Sequence, residues 1–396
     1  MKLVLSAAIV ALFLIAPVAS ANLVPVGEVT QTSRYLVGFF ETPAYAVGDS
    51  YLGDAVVAVD TDLNFIVVET SAPALLAAKV QLDAAVRYFE PDASDHQLQL
   101  TPNDPKWTDA GHYGAKIIGA PIAWDKTLGT SAVKVVIVDS GIRATHEDIA
   151  GRILAQYDFY NNDGTADDSN YCSYHGSHTA GTSLATTNNG KGMAGIAQSG
   201  VMIAKIFQGK SPSPMGGCAT TTTAIVNALK WGGDQGAAVS SNSWGGGSFS
   251  TAINDAITYT VNKGTTIVAA AGNSGSCTNC VGEPWKSATA PVIVVSCTTA
   301  TDAFCSFSSQ GPQVDVAAPG QDILSINGGG DTSYKLMSGT SMSTPHVSGV
   351  AALVKTLNPG FGPTDIEARL KGTAKNLGMI SDRQGAGRLD AAAAVY

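Results

Sequence analysis

The sequence predicts an α/β domain built on a mainly parallel sheet and preceded by a smaller α+β unit. Continuous apolar, β-branched runs at 133–138, 201–207, 266–271 and 291–296 have the composition of strands buried on both faces. Helix-like stretches at 220–232, 251–262 and 341–357 alternate with them, and alternation of that kind implies a parallel sheet covered on both sides. Before residue 101 the pattern differs, with short strands, one helix and no cysteine.

In the smaller unit, strand-like runs lie at 35–40, 55–59 and 65–69, and residues 60–64 form a hairpin turn between the last two. Residues 73–85 are rich in Ala and Leu and helix-like, with Pro73 acceptable in the first turn. A last strand follows at 86–89, and the polar, acidic stretch 92–99 is a linker. The Gly/Ser-rich stretch 240–250 is expected to be a local loop, and no internal repeat is evident.

Lys2 precedes a sixteen-residue apolar stretch, 3–18, and Ala19-Ser20-Ala21 fits the small-x-small cleavage pattern of a secretory signal. A span needs roughly 20 apolar residues, so a cleaved signal over 1–21 is preferred to an anchor. No later segment is long and apolar enough to cross a membrane. A formal charge of −9 without any Lys/Arg run excludes binding of nucleic acid by phosphate neutralisation. Six cysteines, all beyond residue 170, suggest disulfides in an exported chain. Six allow 15 connectivities. A local Cys277–Cys280 bridge is preferred to half a zinc site, and Cys297 with Cys305 is the best guess for a second.

Four loops carry residues suited to chemistry at the carboxyl ends of strands, where open α/β sheets bind ligands. In Val138-Asp139-Ser140-Gly141 an apolar run delivers a carboxylate into a glycine turn, although an Asp there also commonly caps a turn. In His175-Gly176-Ser177-His178 an imidazole precedes a short buried helix expected at 179–185, and Asp139 could hold its ring; a packed loop histidine is the plain alternative. His-x-x-His has neither the glutamate nor the spacing of the zinc-protease motif. In Gly339-Thr340-Ser341-Met342 a serine starts a helix, where free N–H groups can cap the turn or donate to an oxyanion. Asn273 follows an apolar strand between Gly272 and Ser274-Gly275, placed either to donate its amide or to serve a left-handed turn. Both partners precede the serine, and this order rejects an α/β-hydrolase esterase, whose acid and histidine follow it.

Together these loops resemble the subtilisin-like serine protease (subtilase) family, in family order and over nearly everything from Thr101 to the C-terminus. The resemblance includes Thr101-Pro102-Asn103-Asp104-Pro105 as a mature start and Gly385-Ala386-Gly387-Arg388-Leu389-Asp390 as a closing motif. It implies a subtilisin-like three-layer α/β fold over 101–396. The implied activity is that of a secreted, monomeric serine endopeptidase acting on proteins and peptides, with Asp139, His175 and Ser341 as triad and Asn273 in the oxyanion hole. A non-catalytic binding protein of this fold is the alternative, weakened because none of the four residues is lost.

Further expectations follow from the resemblance. Ser243-Trp244-Gly245 matches the strand that pairs with an extended substrate, and Gly272 and Gly282 match residues lining a pocket open to large apolar side chains. Specificity is therefore expected to be broad with that preference. Glu283-Pro284-Trp285 departs from the family's usual Tyr-Pro-Gly. Residues 22–100 resemble the inhibitory propeptide, a ferredoxin-like βαββαβ unit that acts as intramolecular chaperone and inhibitor and is removed autocatalytically near Gln99-Leu100. Its first helix, expected at 43–53, is short and contains Gly48 and Gly53. A structural Ca²⁺ is implied at Asp148, with Asp104 or Asp109 and Asn188, an oxygen-only set suited to that ion. The acidic loop 161–170, with Asp163, Asp167 and Asp168, is a weaker second place for one. No organic cofactor is implied.

Overall fold

The computed structural model describes residues 33–92, 100–208, 218–275 and 277–396. The signal segment, His96 in the linker and the residue before Leu100 lie outside them. The chain divides into two compact units at residues 98/99.

The first unit contains β1 (Ser33–Phe39), β2 (Ser50–Tyr51), β3 (Asp54–Asp60), β4 (Phe65–Thr70), α1 (Pro73–Val80) and β5 (Val86–Pro91). The strands form one sheet in the order β2-β3-β4-β1-β5. β1 is antiparallel to both β4 and β5, so it splits the β4–α1–β5 crossover. No helix forms at 43–53: Gly48, before β2, and Gly53, in the turn after it, have positive φ of 98° and 100°, which no helix accommodates. The core is aromatic, with Tyr35 stacked on Phe89 and Tyr51 edge-on to Phe39.

The second unit opens with α2 (Tyr113–Ile117) and α3 (Ala120–Lys126). β6 (Lys134–Asp139), β7 (Ile153–Asp158), α4 (His175–Leu184), β8 (Gly200–Lys205), α5 (Thr222–Asp234), β9 (Val239–Asn242), α6 (Thr251–Asn262), β10 (Thr266–Ala270), β11 (Ile293–Thr298) and β12 (Val316–Pro319) follow. A hairpin of β13 (Ile323–Ile326) and β14 (Tyr334–Met337) leads into α7 (Thr340–Leu357), and α8 (Pro363–Gly372), α9 (Ser381–Gln384) and α10 (Ala391–Val395) close the chain. Seven strands form a parallel sheet in the order β12-β11-β10-β9-β6-β8-β7.

Side-chain parity divides the core into two layers. Val135, Ile137, Ile203 and Val268 pack with α4 and α7, whereas Val136, Val138, Met202 and Ala269 pack with α5 and α6. The sheet is thus the middle of three layers. Asp139 shares the parity of Val135 and Ile137, so the strand end presents its carboxylate on the α4 side.

The expectation of a loop across 240–250 is corrected at its start, because residues 240–242 belong to β9, a central strand. Its polar residues escape a period-based reading because their donors find partners inside the protein. Asn242 Nδ2 donates to Ser240 O and Oγ, and Ser348 Oγ on α7 donates to Ser241 Oγ. Pro345 lies inside α7, beyond its first turn. The N–H it lacks would have bonded the Ser341 carbonyl, and Ser243 Oγ occupies that acceptor at 2.8 Å instead. Three disulfides form: Cys172–Cys218, Cys277–Cys280 and Cys297–Cys305.

Candidate active site

Asp139 ends β6 fully buried, and its carboxylate accepts three hydrogen bonds. Ser140 N donates to Oδ1 at 2.7 Å, Thr179 Oγ1 to Oδ2 at 3.1 Å, and His175 Nδ1 is 2.8 Å from Oδ1. An ionised carboxylate only accepts, so this contact places the ring proton on Nδ1 and leaves Nε2 as the free base. His175 is the first residue of α4. The helix can come this close because Gly176 has no side chain: a Cβ there would fall 2.2 Å from Gly141 O. Burial lowers the basicity of His175, but the Asp139 charge and hydrogen bond, with a further contribution from Asp168, outweigh it and raise its pKa above the ordinary 6.5.

Ser341 is the second residue of α7, and its Oγ donates to Ser243 O at 3.0 Å. Asn273 lies just beyond β10. Its Oδ1 accepts from Thr340 N at 2.9 Å and Thr340 Oγ1 at 3.1 Å, which fixes the amide and leaves Nδ2 available as a donor. A Cβ at Gly339 would sit 3.3 Å from Asn273 Nδ2 and 3.7 Å from Ser341 N. That glycine therefore keeps open a space within reach of two N–H donors, as stabilisation of a developing oxyanion requires.

The expected substrate-binding residues gather beside these donors. Gly272 has φ of 108°, a conformation that favours glycine, and its missing side chain faces Ser309 Oγ and Gly282 N. A Cβ on Gly282 would lie 3.0 Å from Gly246 N, and Gly246 N donates to Glu283 O. Trp285 was not anticipated as a site residue: it is buried, donates from Nε1 to Trp244 O at 2.6 Å, and supports the 243–245 segment from behind. Its only sequence signal was its departure from the usual glycine. Glu283 is turned partly into its own loop, where its Oε1 accepts from Ser287 Oγ. A cleft of about 400 Å³ runs past Asp139, His175, Ser243 and Trp244, walled by Tyr171, Phe207, Met337 and the Cys172–Cys218 bridge.

His112, His178 and His346 are buried and lowered below the ordinary histidine range by desolvation, His178 to about 3. His178 Nε2 bonds Ile323 O and Lys335 O, fastening β13 and β14 to α4.

Of the implied calcium ligands, Asp104 and Asp148 converge on the loop 186–193. Asp104 accepts from Asn188 N at 2.7 Å, and Asp148 accepts from Met193 N, Tyr334 Oη and Asn189 Nδ2. Asn188 turns its own Oδ1 to Asn103 N, so Asn189 rather than Asn188 presents an amide to Asp148. Asp109 is not brought there; it is exposed and lies 3.7 Å from Lys106 Nζ. Asp104 and Asp148 are both buried, and desolvation raises both pKa values. Among the described residues neither has a Lys or Arg partner within 4.0 Å. Two buried carboxylates without a countercharge are the oxygen type a hard cation takes, although the groups that meet them here are the N–H donors of this loop and the Tyr334 hydroxyl. The second acidic loop does not fit: Asp163 binds Thr165 N within its own turn, Asp168 is committed to Ser140 and Ser177, and no described cluster of three His, Cys, Asp or Glu residues could share a metal.

The family model of the subtilases matches residues 130–387, which include all four of these chemical groups. The chain belongs to the subtilase family. It is a serine endopeptidase of the subtilisin type. It is 38% identical to thermitase of Thermoactinomyces vulgaris over 74% of this chain and 99% of that protein. It is 36% identical to halolysin of Haloferax mediterranei over 90% of this chain and 67% of that protein. A solved protease structure from Pseudoalteromonas arctica superposes with a TM-score of 0.63 at 32% identity, covering 75% of this chain and 99% of the other.

Proposed function

We propose that Asp139, His175 and Ser341 form the catalytic triad and that Asn273 Nδ2 and Ser341 N–H bind the oxyanion. The observation that carries this is the 2.8 Å Asp139–His175 contact in a cleft also lined by Ser243, whose carbonyl accepts from Ser341 Oγ at the start of α7. Ser341 Oγ leaves the Ser243 carbonyl, donates to His175 Nε2 and attacks the scissile carbonyl carbon. His175 takes the proton, and the carbonyl oxygen becomes the oxyanion. The imidazolium then protonates the leaving amine as the C–N bond breaks. A water attacks the resulting ester with His175 again as base, releasing the acid and restoring Ser341. Throughout, Asp139 holds the ring tautomer and stabilises the imidazolium.

An extended substrate would pair along Ser243, Trp244 and Gly245, gaining affinity from its backbone whatever its sequence. The side chain before the scissile bond would enter the space bounded by Gly245, Gly272 and Gly282. Walls without side chains support broad specificity with a preference for large apolar groups. Labelling tests the nucleophile: a sulfonyl fluoride should inactivate the enzyme and add one sulfonyl group to the peptide containing Ser341. Inactivation with the mass on any other residue would overturn the assignment.

Residues 22–100 are proposed to be the inhibitory propeptide, removed near Gln99-Leu100, and residues 1–21 a secretory signal. The split crossover of the first unit supports the former. Two similar proteins are named as extracellular, from Xanthomonas campestris and Natrialba magadii. Asp104, Asp148 and the 186–193 loop would hold a Ca²⁺, whose charge offsets two buried carboxylates and ties the start of the second unit to the loop after α4. Chelation at pH 8 should lower Tm by roughly 5–10 °C, as expected for losing an ion bound at about a hundredfold its Kd. An unchanged Tm would remove the ion from this loop.

A further inference from the structure

Asp168 is a second buried carboxylate behind the reacting pair, and the reaction described above does not use it. It lies seven residues before His175, and two of its three side-chain bonds reach the segments that carry the acid and the base. Oδ1 accepts from Ser140 Oγ at 2.8 Å and from Ser169 N at 2.8 Å; Oδ2 accepts from Ser177 N at 2.8 Å. Ser140 Oγ in turn accepts from Gly176 N at 2.8 Å. The residue after Asp139 and the two residues after His175 are therefore joined through one side chain.

We propose that Asp168 is a positioning residue for catalysis, which sets the register between Asp139 and His175 through Ser140, Gly176 and Ser177 and adds a second negative charge to the field at the imidazole. The inference rests on the triad reading given above. The backbone link is short. Rotation of α4 by even a fraction of an ångström at Gly176 and Ser177 would move the His175 ring off Asp139 Oδ1, and the Asp168 links resist it together with the Thr179–Asp139 and Arg143–Ser177 bonds. Ser177 N is among the unpaired donors of a helix start, so the carboxylate there is also favoured by the helix dipole.

The electrostatic part has a definite sign. The charged groups facing His175 are Asp139 from β6, Asp168 from the preceding loop and Lys335 from β14, with neutral His178 one turn along α4. Asp139 and Asp168 favour the imidazolium, and Lys335 opposes it. Asp168 is itself pushed up by desolvation and by the nearby Asp139 charge, an arrangement that its three donors partly relieve. His175 must be neutral to accept the Ser341 proton, so activity rises as pH passes its pKa. Removing the Asp168 charge lowers that pKa and moves the acid limb of the profile to lower pH.

The test compares the full wild-type chain with Asp168→Asn, each processed to the mature form with a trace of active wild type if needed. Rates are counted per active site by sulfonyl fluoride labelling. Wild-type kcat/KM should have its acid limb above 6.5. In Asp168→Asn, kcat should fall roughly ten- to hundredfold, the scale of a small misplacement of catalytic groups, with KM little changed. The limb should move down by about one pH unit or less. A role limited to capping α4 would lower Tm while leaving the rate per active site and the limb in place, and that result overturns the proposal. If Asp168→Asn does not fold, Ser140→Ala removes the same link but keeps the charge. It should lower kcat with the limb unmoved, and an unchanged kcat overturns the positioning role. Wild type without hydrolysis that Ser341→Ala abolishes would overturn the triad reading itself, an outcome separate from either of these.

Discussion

Ser341→Ala leaves a folded chain that stays full length and turns over peptide on the order of 10⁶-fold more slowly than wild type, the loss known for the nucleophile of a subtilisin. The size follows from the mechanism. Without Oγ no acyl-enzyme can form, and His175 and Asp139 have no proton to move. What survives is the modest acceleration from binding and the oxyanion donors. The substitution removes only a hydroxyl whose partner is the Ser243 carbonyl, so the fold should tolerate it. Two readouts are needed together: chain length on a gel, and hydrolysis of a chromogenic peptide ending in an aromatic residue. Wild type should shorten to the size of the second unit and cleave, while the variant does neither. If folded wild type also does neither, the chain is a binding protein on a protease fold, despite its intact motifs.

Asn273→Ala should lower kcat on the order of 10²–10³-fold with KM nearly unchanged, the figure established for this type of donor in subtilisin. The donor acts on charge that exists only in the transition state, so the loss falls on kcat rather than on substrate binding. Alanine also strands Thr340 N–H and Oγ1, which now bond Asn273 Oδ1. Asn273→Asp separates the two effects: it keeps an acceptor for Thr340 but replaces the donor with a negative charge facing the oxyanion. It should be the slower of the two variants. Wild-type kcat in both would remove Asn273 from the oxyanion hole.

The residues proposed to do the chemistry were legible in the sequence because each sits in or beside a short local pattern with a physical reason. Asp139 ends an apolar strand, Ser341 begins a helix, and Asn273 follows a strand between glycines; His175 stood in a loop before the helix expected at 179–185, and the structure makes it that helix's first residue. The main strands were legible too, since β6, β8, β10 and β11 are buried on both faces and therefore continuously apolar. β9 was not, because Asn242 Nδ2 reaches Ser240, and Ser241 reaches Ser348, only once the sheet and α7 are assembled. The first helix of the N-terminal unit was doubtful for a local reason, its two glycines, and it is not formed.

The sequence by itself determined the layered α/β architecture, the family, and the identity and chain order of the residues proposed as triad and oxyanion donor. Only the tertiary structure decided which neighbours hold those groups. The pairing of Cys172 with Cys218 spans 46 residues. Asn189 rather than Asn188 faces Asp148, Thr340 orients Asn273, and Asp168 turns inward from an acidic loop to join Ser140 to Ser177. The physical reason is range and direction. A strand end or a helix start is set by neighbours within a few residues, whereas the aim of a polar side chain is set by whichever donors the packed fold leaves without a partner.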